Sequence, residues 1–278
     1  IDVAIFSLYV TVLDFIEPKD IKDFKFKSLI GKNFFVGNFF PYEKKGDKKI
    51  IKIDLANNFK DINLHFIIGN PPWSRGKKGQ KNWYNPYAKQ KLKNKPKELQ
   101  RLLEVFPNKK KNQIEILNNK EIAQGFVIRS EDFSNKNTTC ALLVTSKVLH
   151  NGQSNIFRNY WLNNTQVEKI VDFSAVRQYV FHKPKGSKGT VGPCSFLIYK
   201  WIENKTNSIV QHYSPKLNRL FKAFRILAIQ SYDYKEIKQQ QFIDYDWIWK
   251  VFLYGNLLDF EFINFLNANF DLTINFLK

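Results

Sequence analysis

The sequence predicts an α/β fold built on a mostly parallel sheet, and three observations predict it. Short apolar runs closed by turn residues recur at Phe34–Phe40, Leu64–Ile68, Ala141–Thr145, Lys169–Phe173 and Ser195–Tyr199, as strands buried in a sheet require. Helix-like segments alternate with them, at Val3–Asp14, Lys97–Val105, Lys120–Asp132 and Ser154–Asn163. Such alternation implies a sheet covered by helices on both faces. The last two strand candidates succeed one another with no clear helix between them, which fits a hairpin-like, antiparallel final pair.

Val3–Asp14 is an apolar-rich helix ended by Glu17-Pro18, since proline removes a donor and stops the ladder. The run Leu64-His65-Phe66-Ile67-Ile68-Gly69 reads as a buried parallel strand that ends in the loop Asn70-Pro71-Pro72-Trp73. In sheets of this kind ligands sit outside the carboxyl ends of the strands, so the run ends at Asn38 and Asn70 fall on the ligand side. Gly186–Gly192 is glycine-rich but lacks a strand–loop–helix setting, and reads as a flexible connection. Beyond about Glu203 the pattern changes to a C-terminal mixed or helical extension. Lys216–Ile229 and Leu258–Ala268 are helix-like, and Tyr245–Tyr254 is rich in aromatics. Asp244, Asp246 and Asp259 stand at loop ends and helix starts there and read as caps. The expected division is 1–203 as a core, carrying a basic insertion at 74–120, and 204–278 as a linker or the start of another domain.

The chemistry concentrates in Asn70-Pro71-Pro72-Trp73. The Asn70 side-chain carbonyl can accept a hydrogen bond from an exocyclic amine. Pro71 has no N–H, so its peptide offers only an acceptor. Two acceptors aimed at one NH2 group would hold both its hydrogens and turn the nitrogen lone pair outward. Pro72 stiffens the loop before a substrate arrives. Trp73 offers a face for stacking, worth about 1–3 kcal/mol for an unstacked base. The competing reading is a proline-stiffened turn whose aromatic plugs the core.

Composition bounds the rest. The chain has 278 residues, is 44% hydrophobic and 16% aromatic, and carries a net charge of +19. That charge implies a polyanionic partner, nucleic acid or an anionic membrane surface, and no apolar stretch reaches the length that crosses a bilayer. Between Ser74 and Lys120 fourteen basic residues face three acidic ones, with Trp83, Tyr84 and Tyr87 interleaved. Arg75, Lys77, Lys78 and Lys81 come first and are the candidate ligands of a phosphate backbone; the competing reading is a compositional bias with solvated charges. Cys140 and Cys194 lie in strand-like segments and read as core thiols of a reducing, cytoplasmic compartment. His65, His150, His182 and His212 have no metal-ligand spacing, so no metal is expected.

The segment Ile67–Trp73 resembles the catalytic loop of N6-adenine DNA methyltransferases, and its surroundings resemble the large restriction–modification and phage-defence members. Ile1–Tyr9 looks like the helix after the second core strand, and Asn33–Phe40 like the third strand. Ile122–Phe126, Ala141–Ser146 and Lys169–Ser174 look like the helix after the catalytic loop and the fifth and sixth strands. Val180-Phe181-His182 and Gly192–Tyr199 resemble the last two motifs. The resemblance spans roughly residues 1–200. It implies a partial Rossmann-like sheet that uses S-adenosylmethionine. Ile1, Asn38, Phe39 and Asn70 would touch the cofactor, although the family usually carries Asp-Phe where this chain has Asn38-Phe39. Asn70, Pro71, Pro72 and Trp73 would be catalytic, and Trp73 and Phe181 would stack on the flipped base. The partners it implies are double-stranded DNA and a nuclease, specificity domain or further subunit, and 204–278 would lead toward a DNA-recognition domain.

One family feature is missing. No glycine-rich turn precedes residue 70, where the only glycines are Gly31, Gly37, Gly46 and Gly69, and the chain holds no Met. Together these predict a fragment that begins inside the fold, after its second strand. Omitted positions would make the counted spacings lower bounds. The expected function is transfer of a methyl group from S-adenosylmethionine to adenine N6 in DNA. The alternatives are a catalytically silent DNA- or partner-binding remnant, or a methyltransferase acting on RNA or on a protein Gln.

Overall fold

The computed structural model describes residues 2–35, 37–41, 43–45, 49–51, 54–73, 84–117, 121–180, 192–203, 208–224 and 226–269. They fall into two compact units, Ile1–Leu55 and Ala56–Lys278.

In the first unit α1 (Asp2–Leu13) matches the expected helix. Tyr9 on it donates to the Lys27 carbonyl at 2.6 Å and packs its ring 4.3 Å from that of Phe26. A small antiparallel hairpin comes later in this unit, β1 (Glu43–Lys45) and β2 (Lys49–Ile51). Among the described residues of the strand expected at Phe34–Phe40, no strand forms. Its only bridge among the described residues is Ile30↔Phe34, where Gly31 takes φ +74 and turns the chain back on itself. Apolar character alone does not make a strand; a ladder partner is needed.

The second unit holds a six-stranded sheet in the order β3-β4-β6-β5-β7-β8. β3 is Phe66–Gly69, β4 Thr139–Thr145, β5 Gln166–Asp172, β6 Cys194–Lys200, β7 Ile209–Tyr213 and β8 Tyr234–Lys238. β3, β4, β5 and β7 run in one direction, while β6 and β8 run against them. The fold is therefore the α/β class read from the sequence, mostly parallel by strand direction. The expected antiparallel final pair is β5 with β6. β3 departs from its buried reading: among the described residues it is an edge strand with one neighbour, and Phe66 and Ile68 are 68% and 77% exposed.

Helices connect and cover the strands. α2 (Tyr84–Lys93), α3 (Pro96–Val105) and α4 (Ile122–Arg129) lie between β3 and β4. Pro96 opens α3 at a position where its missing N–H costs nothing. α5 (Lys147–His150) and α6 (Asn155–Asn164) lead from β4 to β5, and α7 (Arg177–Val180) comes after β5. α6 is buried on most of its circumference, and Trp161 on it stacks on Phe157 and meets Tyr199 of β6 edge-on at 5.5 Å. Together with Val144, Val167, Ile170 and Leu197 these side chains form a core without solvent contact.

The division expected at residue 203 does not coincide with the boundary between the units. Residues 208–269 share a unit with β3–β6, and β7 extends the same sheet beside β5. α8 (Arg219–Phe224), α9 (Gln239–Asp244), α10 (Ile248–Tyr254) and α11 (Leu257–Asn269) complete this part. Two polar links fasten it. Arg158 of α6, buried, pairs with Asp246 and donates to the Val148 and Asn151 carbonyls. Gln239, fully buried, donates to the Leu162 and Thr165 carbonyls at 2.6 and 2.7 Å and accepts from the Val167 N–H at 2.8 Å. Asp246 is thus an ion-pair partner rather than a cap, while Asp259 does cap α11, accepting from the Asn256 N–H. Gln239→Leu would leave three buried backbone groups unpaired, each costing about 1–3 kcal/mol. We expect a loss of at least about 3 kcal/mol in urea unfolding for Gln239→Leu. The neighbouring Gln240→Leu should change stability by less than about 0.5 kcal/mol.

Candidate active site

β3 brings the chain to the carboxyl-end edge of the sheet and stops at Gly69, paired with Leu142 of β4. A Cβ at Gly69 would stand 3.2 Å from Leu142 Cδ2, so a side chain here would require the Leu142 side chain to give by a few tenths of an ångström. Asn70 comes next. It is exposed, and among the described residues its amide has no hydrogen-bond partner. Pro71 is buried and Pro72 exposed. A buried proline leaves no N–H to satisfy, so the loop seats itself at Pro71 while the Asn70 amide stays outside.

Trp73 is half-buried, and its indole Nε1–H donates to the Leu143 carbonyl at 3.2 Å. Leu143 lies one residue past the last β3–β4 pair, where β3 offers no further donor. The ring thus satisfies a strand carbonyl through its indole N–H, a bond in the ring plane that fixes its orientation. Sequence reading assigned Trp73 a face and missed this edge.

Asn38 and Phe39 lie in the first unit, in irregular backbone rather than at a strand end. The Asn38 side-chain carbonyl accepts from the Phe40 N–H at 3.1 Å, and Phe39 meets Phe40 edge-on. Ile1, Arg75, Lys77, Lys78, Lys81 and Phe181 lie outside the described residues, as does most of Gly186–Gly192.

Two aromatic residues of the basic insertion are not at a surface. Tyr84 and Tyr87 are buried, and Tyr87 donates to Asp132 at 2.6 Å with the Arg129 guanidinium over its ring. Burial, with the adjacent Asp132 charge, pushes the Tyr87 hydroxyl far above its ordinary range. Part of the insertion's charge is also spent internally. Lys91 pairs with Glu131 and Asp132, Lys95 with Glu131, and Arg101 with Glu98. Lys93, Lys97, Lys110 and Lys111 are exposed.

A row of buried polar groups crosses the same carboxyl-end edge, and sequence reading missed it. Ser146, Ser195, Asp172 and Ser214 stand at the ends of β4, β6, β5 and β7, with His212 and Lys235 one step inside. The available signal was an acidic residue closing an otherwise apolar strand at Ile170-Val171-Asp172. Burial alone would raise the Asp172 carboxyl, but the His150 hydrogen bond and charge and the Ser174 donors outweigh it and bring it down to about 2. Burial lowers His212 to about 3, opposed only by Asp172 among its neighbours. Burial and the nearby Lys216 charge lower Lys235 to about 8. Cys140 and Cys194 are free and buried, and burial with Asp172 pushes the Cys194 thiol up to about 12. Among the described residues no group of His, Cys, Asp and Glu could hold a metal ion, and no helix is long and apolar enough to cross a membrane.

The family model of the Eco57I restriction-modification methylase matches residues 1–181 of this chain. The chain belongs to that family. The match runs from α1 through the Asn70–Trp73 loop to the end of α7, and so takes in β3, β4 and β5. Among solved structures, the chain is similar to the type I restriction-modification methyltransferase subunit from Streptococcus thermophilus. That likeness has 12% identity and a TM-score of 0.41, and covers 70% of this chain and 40% of that one. It is also similar to a modification subunit of a putative type I restriction enzyme from Vibrio vulnificus YJ016, at 13% identity, a TM-score of 0.37, and 67% and 38% coverage. A third is the type IIL enzyme MmeI solved in complex with DNA, at 17% identity, a TM-score of 0.31, and 57% and 17% coverage. The chain spans well under half the length of each, and the fold rests on its own strand order rather than on these likenesses. No curated protein matches it.

The buried titrating groups set the pH dependence of stability. His212 stays neutral when folded, so below about 6.5 the unfolded chain takes up a proton that the folded chain refuses until about 3, and stability falls as pH falls. Asp172 acts lower: its depressed value gives stability that is complete above about 3.8 and lost on the way to about 2. On the alkaline side, stability rises from about pH 8 to 10.5 as the folded chain releases the Lys235 proton first. His212→Leu should abolish a fall of roughly 3 kcal/mol between pH 6.5 and 4 and keep the steeper loss below 4. Urea midpoints measured across pH 3–7 check this, and an unchanged slope above pH 4 would contradict a buried neutral His212.

Proposed function

We propose that this methylase transfers a methyl group from S-adenosylmethionine to the N6 amine of adenine in double-stranded DNA. It would act in the cytoplasm, in a restriction–modification or phage-defence system with a nuclease, specificity domain or further subunit. The observation that carries this reading is the exposed Asn70 amide at the carboxyl end of β3, without a hydrogen-bond partner among the described residues and close in the chain to an indole fixed in orientation by Leu143.

The chain's own groups divide the work. The exposed lysines of α2, α3 and the segment after them, with Arg75, Lys77, Lys78 and Lys81, attract the phosphate backbone without reading sequence. The target adenine leaves the stack, and Trp73 and Phe181 take its two faces. Asn70 Oδ1 accepts one N6 hydrogen and the Pro71 carbonyl the other, which draws the nitrogen lone pair out of the ring and toward the methyl donor. Ile1, Asn38, Phe39 and Asn70 would hold S-adenosylmethionine, which supplies an electrophilic methyl group when bound. With that cofactor bound, the amine would take the methyl group directly as the sulfonium C–S bond breaks, the sulfur leaving as a neutral thioether and the surplus N6 proton passing to solvent, with no covalent enzyme intermediate; proximity and preorganised acceptors would provide the rate.

Asn70→Ala in the full-length protein should lower methyl transfer by at least about 100-fold while DNA affinity stays within about threefold. Trp73→Ala should weaken capture of the extruded base, read as a smaller 2-aminopurine fluorescence rise on binding. Incubation with labelled cofactor and DNA, RNA or protein acceptors separates the rivals. Label entering RNA or a protein Gln moves the substrate class, and DNA binding without transfer to any acceptor makes the chain a silent recognition module.

A further inference from the structure

We infer that Asp172 and His150 form a positioning pair that locks the root of the Phe181-bearing segment onto the end of β4. The inference rests on the base-gripping role proposed for Phe181. Asp172 is the last residue of β5 and has no solvent exposure. Its Oδ1 accepts from the Ser174 N–H at 2.9 Å, the Ser174 hydroxyl at 2.5 Å and the Ser146 hydroxyl at 3.1 Å. Its Oδ2 lies 2.5 Å from His150 Nε2. Ser146 and His150 belong to the turn and helix after β4, whereas Ser174 opens the turn after β5.

β4 and β5 are not neighbours. β6 lies between them, and Ser195 of β6 meets the Ser146 hydroxyl at 2.7 Å. One carboxylate therefore ties together two loops separated by a strand. From Ser174 the chain makes a turn, held by Arg177 Nη1 donating to the Ser174 carbonyl at 2.7 Å, and winds through α7 to Val180. Phe181 is the next residue. Trp73 hangs from Leu143, three residues before Ser146 on the same strand. Trp73 is thus referenced to β4 through its indole N–H, and residues 173–180, which precede Phe181 in the chain, through Asp172. A buried polar contact of this kind is poor as a source of stability, since an apolar replacement often serves as well. Donors from two loops converging on one carboxylate instead fix relative placement.

The test uses His150→Ala, His150→Gln, which keeps a donor at the same reach, and the near-isosteric Asp172→Asn. In the full-length protein His150→Ala should lower kcat about 10- to 100-fold, the scale of an ångström-level misplacement. KM for DNA and for cofactor should stay within about twofold, and His150→Gln should recover most of the loss. Hydrogen exchange in residues 173–180 should rise at least about tenfold in His150→Ala and stay near native in His150→Gln. If His150→Ala does not fold, Asp172→Asn is expected to lower kcat and loosen 173–180 in the same direction. An unchanged kcat, a rise in KM alone, or a loss that Gln does not recover overturns the inference. If the native protein methylates no acceptor, the proposed function falls, while exchange in 173–180 still judges the brace: native-like protection in His150→Ala overturns it.

Discussion

β6 runs against β4 along seven paired residues and against β5 along six, and this antiparallel wedge fixes where every other group of the site can stand. With β6 reversed between them, β4 and β5 still point the same way, and their carboxyl ends meet one edge of the sheet about 10 Å apart, two interstrand spacings. The strand between them begins at that edge, with small residues, Cys194 and Ser195. Larger side chains there would fill the gap through which Asp172 and Ser146 reach one another. The buried polar row is therefore a product of the wedge, and its donors and acceptors are paired across strands rather than along them.

The charge of the chain sorts by the same logic of who is buried. Lys91, Lys95, Arg101 and Arg129 are used inside the α2–α3–α4 layer, on Glu98, Glu131 and Asp132. Arg129 is almost without exposure and lies over the rings of Tyr87 and Phe133. Removing one member of such a cluster strands the others in a poorly solvated place, which costs several kcal/mol. These cations are a structural layer beneath the exposed lysines, and a count of charges along the sequence merges the two.

Much of the fold was legible because its period and punctuation are local. The runs 141–145, 169–173 and 195–199 and the helices at 97–105, 120–132 and 154–163 all sit where apolar spacing placed them, with ends shifted by a few residues. Family membership was legible from one four-residue loop and the order of the motifs around it. The features that escaped depend on partners distant in sequence. Phe34–Phe40 has a strand's composition but no ladder partner among the described residues beyond a single bridge. β7 and β8 have strand partners in β5 and in each other, yet Gln211 and His212, and Lys235 and Glu236, interrupt their apolar pattern. Tyr84 and Tyr87 look like nucleic-acid contacts beside so many lysines until Asp132, forty-five residues beyond Tyr87, claims the second of them.

The Asn70 loop shows how a weakly held strand can still end in a well-placed group. β3 has four residues and one neighbour, so strand pairing by itself gives its tip little rigidity. Three contacts at and beyond the tip fix it instead. Gly69 allows close approach to Leu142, Pro71 goes into the core without leaving a donor unpaired, and Trp73 bonds back to Leu143. Asn70 is the residue these three fixed points leave outside. Its exposure is then a consequence of the loop's anchoring rather than of mobility, and an acceptor held this way would lose little further freedom on binding a donor. Gly69, Pro71 and Trp73 thus do for the asparagine what a second flanking strand would have done for β3.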